Sequence, residues 1–255
     1  MPTVAFFGAT GGCAGHCLAF SLNAGYDCTA LARHPAKLTE SMKTKGVSAQ
    51  TLDNHLTIVH GDVKDIEAVK RTLQLPNGEI VDMIMSGIGT YPAFQWSITR
   101  PVIQPDATLC RDAVAIILRA LQELKPRKKP LFVNMTTTGI APKGMPRDVP
   151  LLFVPLYHWL LAAPHEDKRG VVDMLAEHVQ LPESERGIAG FVNVMASLLM
   201  DGEGKGLQAV REGVMEKPAV GYVIQRKDVG LWIFERLVKS EARGEWVGKS
   251  ASVTY

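Results

Sequence analysis

The chain is poor in the features that assign a protein quickly. Its four cysteines, Cys13, Cys17, Cys28 and Cys110, are too sparse for a disulfide framework and form no Cys-x-x-Cys metal or redox pair. No long block of one charge sign is present. A net charge of +2 gives no field that would recruit nucleic acid. The longest apolar run, LLFVPLYHWLLAA from Leu151 to Ala163, is thirteen residues long, carries Pro155 and His158, and is too short to span a bilayer. The amino terminus lacks a basic region leading into an apolar core and cleavage site, because glycines begin at Gly8; no signal peptide is read. Repeats, low-complexity tracts and interdomain linkers are missing too. What remains is one domain, 1–255, expected in a reducing compartment, the cytoplasm, and expected to bind small molecules rather than nucleic acid or a membrane.

The pattern that is present alternates two kinds of segment. A hydrophobic content of 46% supports a real core. Val4–Phe7 is an apolar run that ends at a glycine turn, and Cys17–Leu22 then reads as helix with a stop at Gly25. Further strands are expected at Cys28–Ala32, Leu56–Val59, Val81–Met85, Leu131–Met135 and near Phe191–Ala196. Between them lie a partly helical passage over Pro35–Asn54 and helices from about Asp106 to Leu124 and from Pro164 to His178. Strands alternating with helices mean βαβ units and a parallel sheet covered on both faces. The fold class is α/β, a doubly wound Rossmann-type sheet. Residues 139–163 and about 197–225 are expected to add a small substrate-binding portion.

In that setting the turn Gly8-Ala9-Thr10-Gly11-Gly12-Cys13-Ala14 acquires a chemical reading. A glycine turn between a strand and a helix lets the backbone approach a pyrophosphate, which the free amides and the positive helix end stabilise. A purely structural glycine turn is the competing reading. At the end of the second strand an acidic residue would suit the ribose hydroxyls of NAD, whereas a basic one suits the 2′-phosphate of NADP. The chain offers Arg33, His34 and Lys37 there, with Asp27 at the wrong end of the strand. NADP(H) is therefore the expected cofactor, against the alternative that Arg33 and Lys37 are ordinary solvated charges.

These stretches resemble a known family. GATGGCA after the first strand, ALARHPAKL after the second, HGDV after the third and SGIGT after the fourth are similar to the atypical short-chain dehydrogenases. The likeness is to the branch with NmrA-like proteins and biliverdin-reductase-B-like reductases. It continues through PHEDK, FVNVMASLLMDG and QRKDVG, and extends to small fungal members associated with secondary metabolism. The resemblance implies Asp62 and Val63 beside an adenine, Ser86, Gly87 and Gly89 near ribose and nicotinamide, and Lys168 on the nicotinamide ribose. Asp62 has a second reading as a cap of the following helix.

The departure from the family lies in the chemistry. Standard members use Tyr-x-x-x-Lys, the lysine lowering the tyrosine pKa for proton delivery. Here Leu161 stands four residues after Tyr157, and Arg226 four after Tyr222. His165 and Lys168 lie three apart on a helix whose Lys168–Val172–Leu175 face should look inward. They are candidates for proton donor or substrate ligand and for cofactor contact. Thr136 or Thr137 of NMTTTG would hold a substrate oxygen, or serve only as β-formers. Tyr157 would reach the site or simply pack. Cys13 and Cys17 read as small packing residues.

Tyr91, Phe94 and Trp96 gather where a lid would lie. Leu152, Phe153, Tyr157, Trp159 and Leu160 need burial against a hydrophobic substrate, a second copy of the chain or the core. KPRKKP, Lys125–Pro130, reads as a solvated turn. No metal site is read. Two functions stay open: an NADPH-dependent reductase of a hydrophobic, aromatic or polyketide-like carbonyl or conjugated substrate, and an NADP-binding protein without hydride turnover. The second would be a redox-sensing regulator or a non-redox isomerase or dehydratase.

Overall fold

The computed structural model describes residues 1–89, 93–94, 102–103, 106–155, 157 and 162–255. Eight strands make the central sheet: β1 Val4–Phe7, β2 Cys28–Ala32, β3 Leu56–His60, β4 Met83–Ser86, β5 Leu131–Thr137, β6 Gly190–Ala196, β7 Arg211–Val214 and β8 Lys249–Thr254. Their order is β3-β2-β1-β4-β5-β6-β8-β7, parallel throughout except for the antiparallel β8–β7 edge. Helices α1 Gly12–Asn23, α2 Pro35–Thr44, α3 Ala49–His55, α4 Ile66–Leu73, α5 Leu109–Leu124, α6 Ala162–His178 and α7 Arg226–Ile233 accompany it.

The strands are short apolar runs because both of their faces are covered. Val4, Phe6, Met83, Met85, Val133 and Val192 face α1 and α7 in one core layer. Ala5, Phe7, Ile84 and Phe132 face α4, α5 and α6 in the other. Successive residues of VAFF therefore enter different cores, as the alternation of a pleated strand requires.

The expected elements appear with adjusted ends. α5 begins at Leu109 rather than Asp106, and α6 is described from Ala162, so that Pro164 sits inside the first turn instead of opening it. The carboxyl-terminal strand β8 was not read from KSASVT, whose serines alternate with small residues. It inserts between β6 and β7, pairing parallel with the former. Part of the 197–225 segment is thus sheet edge, and another part, Leu198–Met200, pairs parallel with Val223–Gln225. Of the expected lid, Phe94 lies in a short antiparallel pair of 93–94 with 102–103. Tyr91, Trp96, His158, Trp159 and Leu160 fall outside the described residues. Among the described residues no helix is long and apolar enough to cross a membrane.

One cap positions the site helix. Thr108, ahead of α5, makes no side-chain cap. The amides of Cys110 and Arg111 donate instead to the Asp167 carboxylate at 2.9 and 3.0 Å, and Asp167 is 2% exposed. A buried carboxylate on α6 thus fixes where α5 begins. Asp167→Ala would strand two amides and is expected to cost about 1.5–3 kcal/mol. That loss would be read as a lower urea midpoint at unchanged slope; an unmoved midpoint would contradict it.

Candidate functional site

The chain leaves β1 and β4 toward opposite edges of the sheet, so their carboxyl ends bound a crevice. Gly8 has φ +79°, and a Cβ there would lie 2.8 Å from the carbonyl carbon of Gly87. The Gly87 amide donates to the Phe7 carbonyl at 2.8 Å, and Gly11 donates to Gly8 at 2.9 Å. Ala14 occupies the third motif slot because its methyl abuts Gly87, where a Cβ would be only 2.5 Å away.

α1 then opens behind Gly11 with no side-chain cap and no acid in its first turn. By contrast, Ser48 and Asp65 cap α3 and α4. Among the described residues no side chain thus caps the amides at this end, and with exposed Thr10 at the rim they suit an anion such as a dinucleotide pyrophosphate. The Cys13 thiol is pushed up to about 12 by burial, with the Arg226 and Lys168 charges pulling it back.

Arg33, His34 and Lys37 are exposed at the end of β2. Arg33 turns toward Asp62, Nε to Oδ2 3.9 Å, with 75% of its side chain open to solvent. Asp62 accepts the Lys64 amide at 2.9 Å and shapes the turn before half-buried Val63. The cap of α4 is Asp65, which receives the amides of Glu67 and Ala68. Asp27, at the far end of β2, is held by His55 at 2.8 Å.

Beyond buried Ser86, the turn through Gly87 and exposed Gly89 meets α6. Lys168 Nζ donates to the carbonyls of Ile88 and Met135, each at 2.9 Å, and so joins the ends of β4 and β5. His165, Val171, Leu175 and His178 are buried on the inward face. Half-buried Val172 sits at its edge.

Tyr157, buried, comes to the same place. Gly139 has φ +84°, and a Cβ there would lie 2.5 Å from the Tyr157 ring and 3.1 Å from that of His165. The two rings are 5.4 Å apart. Burial raises the Tyr157 pKa; a hydrogen bond with the Thr138 side chain opposes this, and Asp148 adds to it. Asp148, itself raised by burial, accepts the Gly139 amide at 2.8 Å. Of the threonines, Thr137 donates to the Thr138 carbonyl at 3.1 Å. Thr136 Oγ1 is buried with no partner among the described residues.

From Tyr157 an aromatic series leads outward. Phe153 stacks on it at 6.1 Å and meets Tyr222 edge-on at 5.0 Å, while Leu151 and Leu152 stand 68% and 81% exposed beside it. KPRKKP is indeed a turn: Lys125 takes a left-handed conformation, Lys128 pairs with Asp82 and Lys129 with the Glu183 carbonyl. A surface cleft at the opposite, amino-terminal edge of the sheet includes Asp27, His55, Asp82 and Lys128. Asp27 and Asp82 there are already paired.

The sequence reading missed Asp148, the service of Asp167 to α5 and the place of Arg226 over Gly12. Only the resemblance at QRKDVG pointed near the last of these.

No protein-family model matches the chain. It is 42% identical over 262 aligned positions to Reductase pytE of Aspergillus terreus, covering 100% of this chain and 98% of that one. It is 36% identical over 285 positions to Oxidase pynE of Aspergillus niger, covering 99% and 98%. Among solved structures, a short-chain dehydrogenase/reductase from Veillonella parvula in complex with NADP superposes with a TM-score of 0.66 at 14% identity, covering 100% of this chain and 94% of that one.

The buried thiols give a test of how closed the turn is. Cys13 and Cys17 are both pushed from 9.0 up to about 12, chiefly by burial. Below pH 9 both folded and unfolded chains keep these protons. Above it the unfolded chain loses them first, so stability is expected to fall as pH rises from 9 toward 12. Iodoacetamide at pH 8.5 should label Cys13 and Cys17 only in denaturant, and rapid labelling of the native chain would contradict the packing.

Proposed function

The chain belongs to the family of its two fungal relatives, a reductase and an oxidase, and on that premise we propose that it is an NADPH-dependent reductase of the atypical short-chain dehydrogenase type. Its substrate in this reading is a hydrophobic, aromatic or polyketide-like carbonyl or conjugated compound. A bound nicotinamide supplies the hydride, so the protein needs no nucleophile of its own. Its tasks are to bind, to orient, to keep water out and to deliver a proton.

Binding falls to the uncapped start of α1 for the pyrophosphate and to Arg33 and Lys37 for a 2′-phosphate. Asp62, Val63, Ser86, Gly87 and Gly89 line the nucleotide between them. Lys168 orients: an ammonium has three donors, and two are committed to Ile88 and Met135. The third faces the Cys110 thiol, a weak acceptor that a ribose hydroxyl would displace.

The reading is supported above all by the group around Tyr157. The sequence has no Tyr-x-x-x-Lys, yet Tyr157 lies against Gly139 and His165 at the end of β5, bonded to the Thr138 side chain. Its Oη carries a proton at neutral pH that it would pass to a substrate oxygen, while burial raises its pKa and makes it a weaker acid than a lysine-paired tyrosine. The Thr136 hydroxyl, without a partner among the described residues, would donate a hydrogen bond to that substrate or accept one from it. Phe153 and Tyr222 supply flat apolar surface for the remainder.

The test is oxidation of NADPH, followed at 340 nm, with a panel of aromatic ketones and enones. Turnover is expected, and Tyr157→Phe is expected to lower kcat by about 10²- to 10⁴-fold while the Kd for NADPH stays within about twofold. An unchanged rate would remove Tyr157 from proton delivery. NADPH that binds and is never oxidised by any member of the panel would favour the binding-only reading over the reductase.

A further inference from the structure

Helix α7 lies directly on the start of α1. A Cβ at Gly230 would fall 2.6 Å from His16 Cβ and 2.8 Å from the Cys13 carbonyl oxygen, so the two helices meet almost backbone to backbone. This packing carries Arg226, the first residue of α7, onto the glycine turn. A Cβ at Gly12 would stand 2.1 Å from Arg226 Cδ and 3.0 Å from Cγ. The arginine stem therefore fills the place of a Gly12 side chain, beside the uncapped amides of α1.

Among the described residues the guanidinium is held from outside. Arg226 Nη1 lies 2.9 Å from Asp201 Oδ1, and the side chains are 30% and 88% exposed. Asp201 opens the segment DGEGKG, which is fastened to the start of α7 at several points. The Asp228 carboxylate accepts the amides of Lys205 and Gly206 at 2.6 and 3.2 Å, Gln225 accepts that of Gly204, and Lys227 pairs with Glu203 at 2.9 Å. The loop and the arginine thus have a fixed place over the turn, whereas the Asp201–Arg226 pair itself is solvated and weak.

We propose that Arg226 is a phosphate ligand of this site. Its guanidinium leaves Asp201 and pairs with the pyrophosphate of the bound dinucleotide, and Asp201 is the placeholder that the phosphate displaces. Planar guanidinium forks match phosphate oxygens, and two phosphate charges outcompete one exposed carboxylate. The inference rests on the nucleotide-binding reading and adds a residue from the far end of the chain to it.

The test is calorimetric titration of the full chain with NADP+ and, separately, with 2′-AMP, which carries the 2′-phosphate and no pyrophosphate. Arg226→Met keeps the stem over Gly12 and removes only the charge. It is expected to weaken NADP+ about tenfold and to leave 2′-AMP within about twofold. Asp201→Asn removes the competitor and is expected to tighten NADP+ by about two- to fivefold, the size of an exposed pair.

Equal weakening of both ligands by Arg226→Met, or no weakening of NADP+, would overturn the role of Arg226. Weakening of NADP+ by Asp201→Asn would make the pair a structural bridge and overturn the displacement. A wild-type chain that fails to bind NADP+ would sink the nucleotide reading itself, which separates that failure from this one.

Discussion

Everything at the site depends on how closely β1 and β4 approach at their carboxyl ends. Gly8 stands against the backbone of Gly87, the Gly87 amide bonds to Phe7, and Ala14 presses its methyl on the same glycine. No side chain fits at position 8, because φ is positive and the opposing backbone is within van der Waals contact. This contact sets the direction in which α1 leaves the sheet. It also aims an uncapped helix terminus into the crevice where the strand order reverses.

Around that contact the charges divide the work. Acids satisfy the protein itself: Asp167 caps α5, Asp65 caps α4, and Asp228 fastens the 201–206 segment. Cations are arranged at the rim. Lys168 bridges the ends of β4 and β5, Arg226 lies on Gly12, and Arg33 and Lys37 stand at the end of β2. These cations therefore follow the path that a dinucleotide with a pyrophosphate and a 2′-phosphate would take, although the whole chain carries only +2.

The first two-thirds of this architecture were legible in the sequence because their signals are local. An apolar run, a glycine turn and a helix follow one another within residues 4–23, and the basic position at Arg33 comes directly after a strand. Signals from contacts between distant residues were not legible. Asp167 was read with His165 and Lys168 as part of one segment, yet it serves α5 some 56 residues earlier. Asp62 reads as a helix cap, but Asp65 takes that role because its carboxylate reaches the Glu67 and Ala68 amides. Of NMTTTG, Thr138 bonds Tyr157 and Thr136 is the buried hydroxyl without a partner among the described residues, a distinction that depends on strand alternation and on what covers each face. Arg226 reaches Gly12 only through the packing of α7 on α1, which no spacing in the chain announces.

The account's central claim is that the glycine turn and the basic end of β2 together make a site for NADPH. Parallel calorimetric titration of the wild-type chain with NADPH and NADH tests it most directly, since the two ligands differ only in the phosphate assigned to Arg33 and Lys37. NADPH is expected to bind at least about tenfold more tightly, a difference of about 1.4 kcal/mol. Equal affinity for the two would contradict the assignment of the basic residues, and binding of neither would contradict the site.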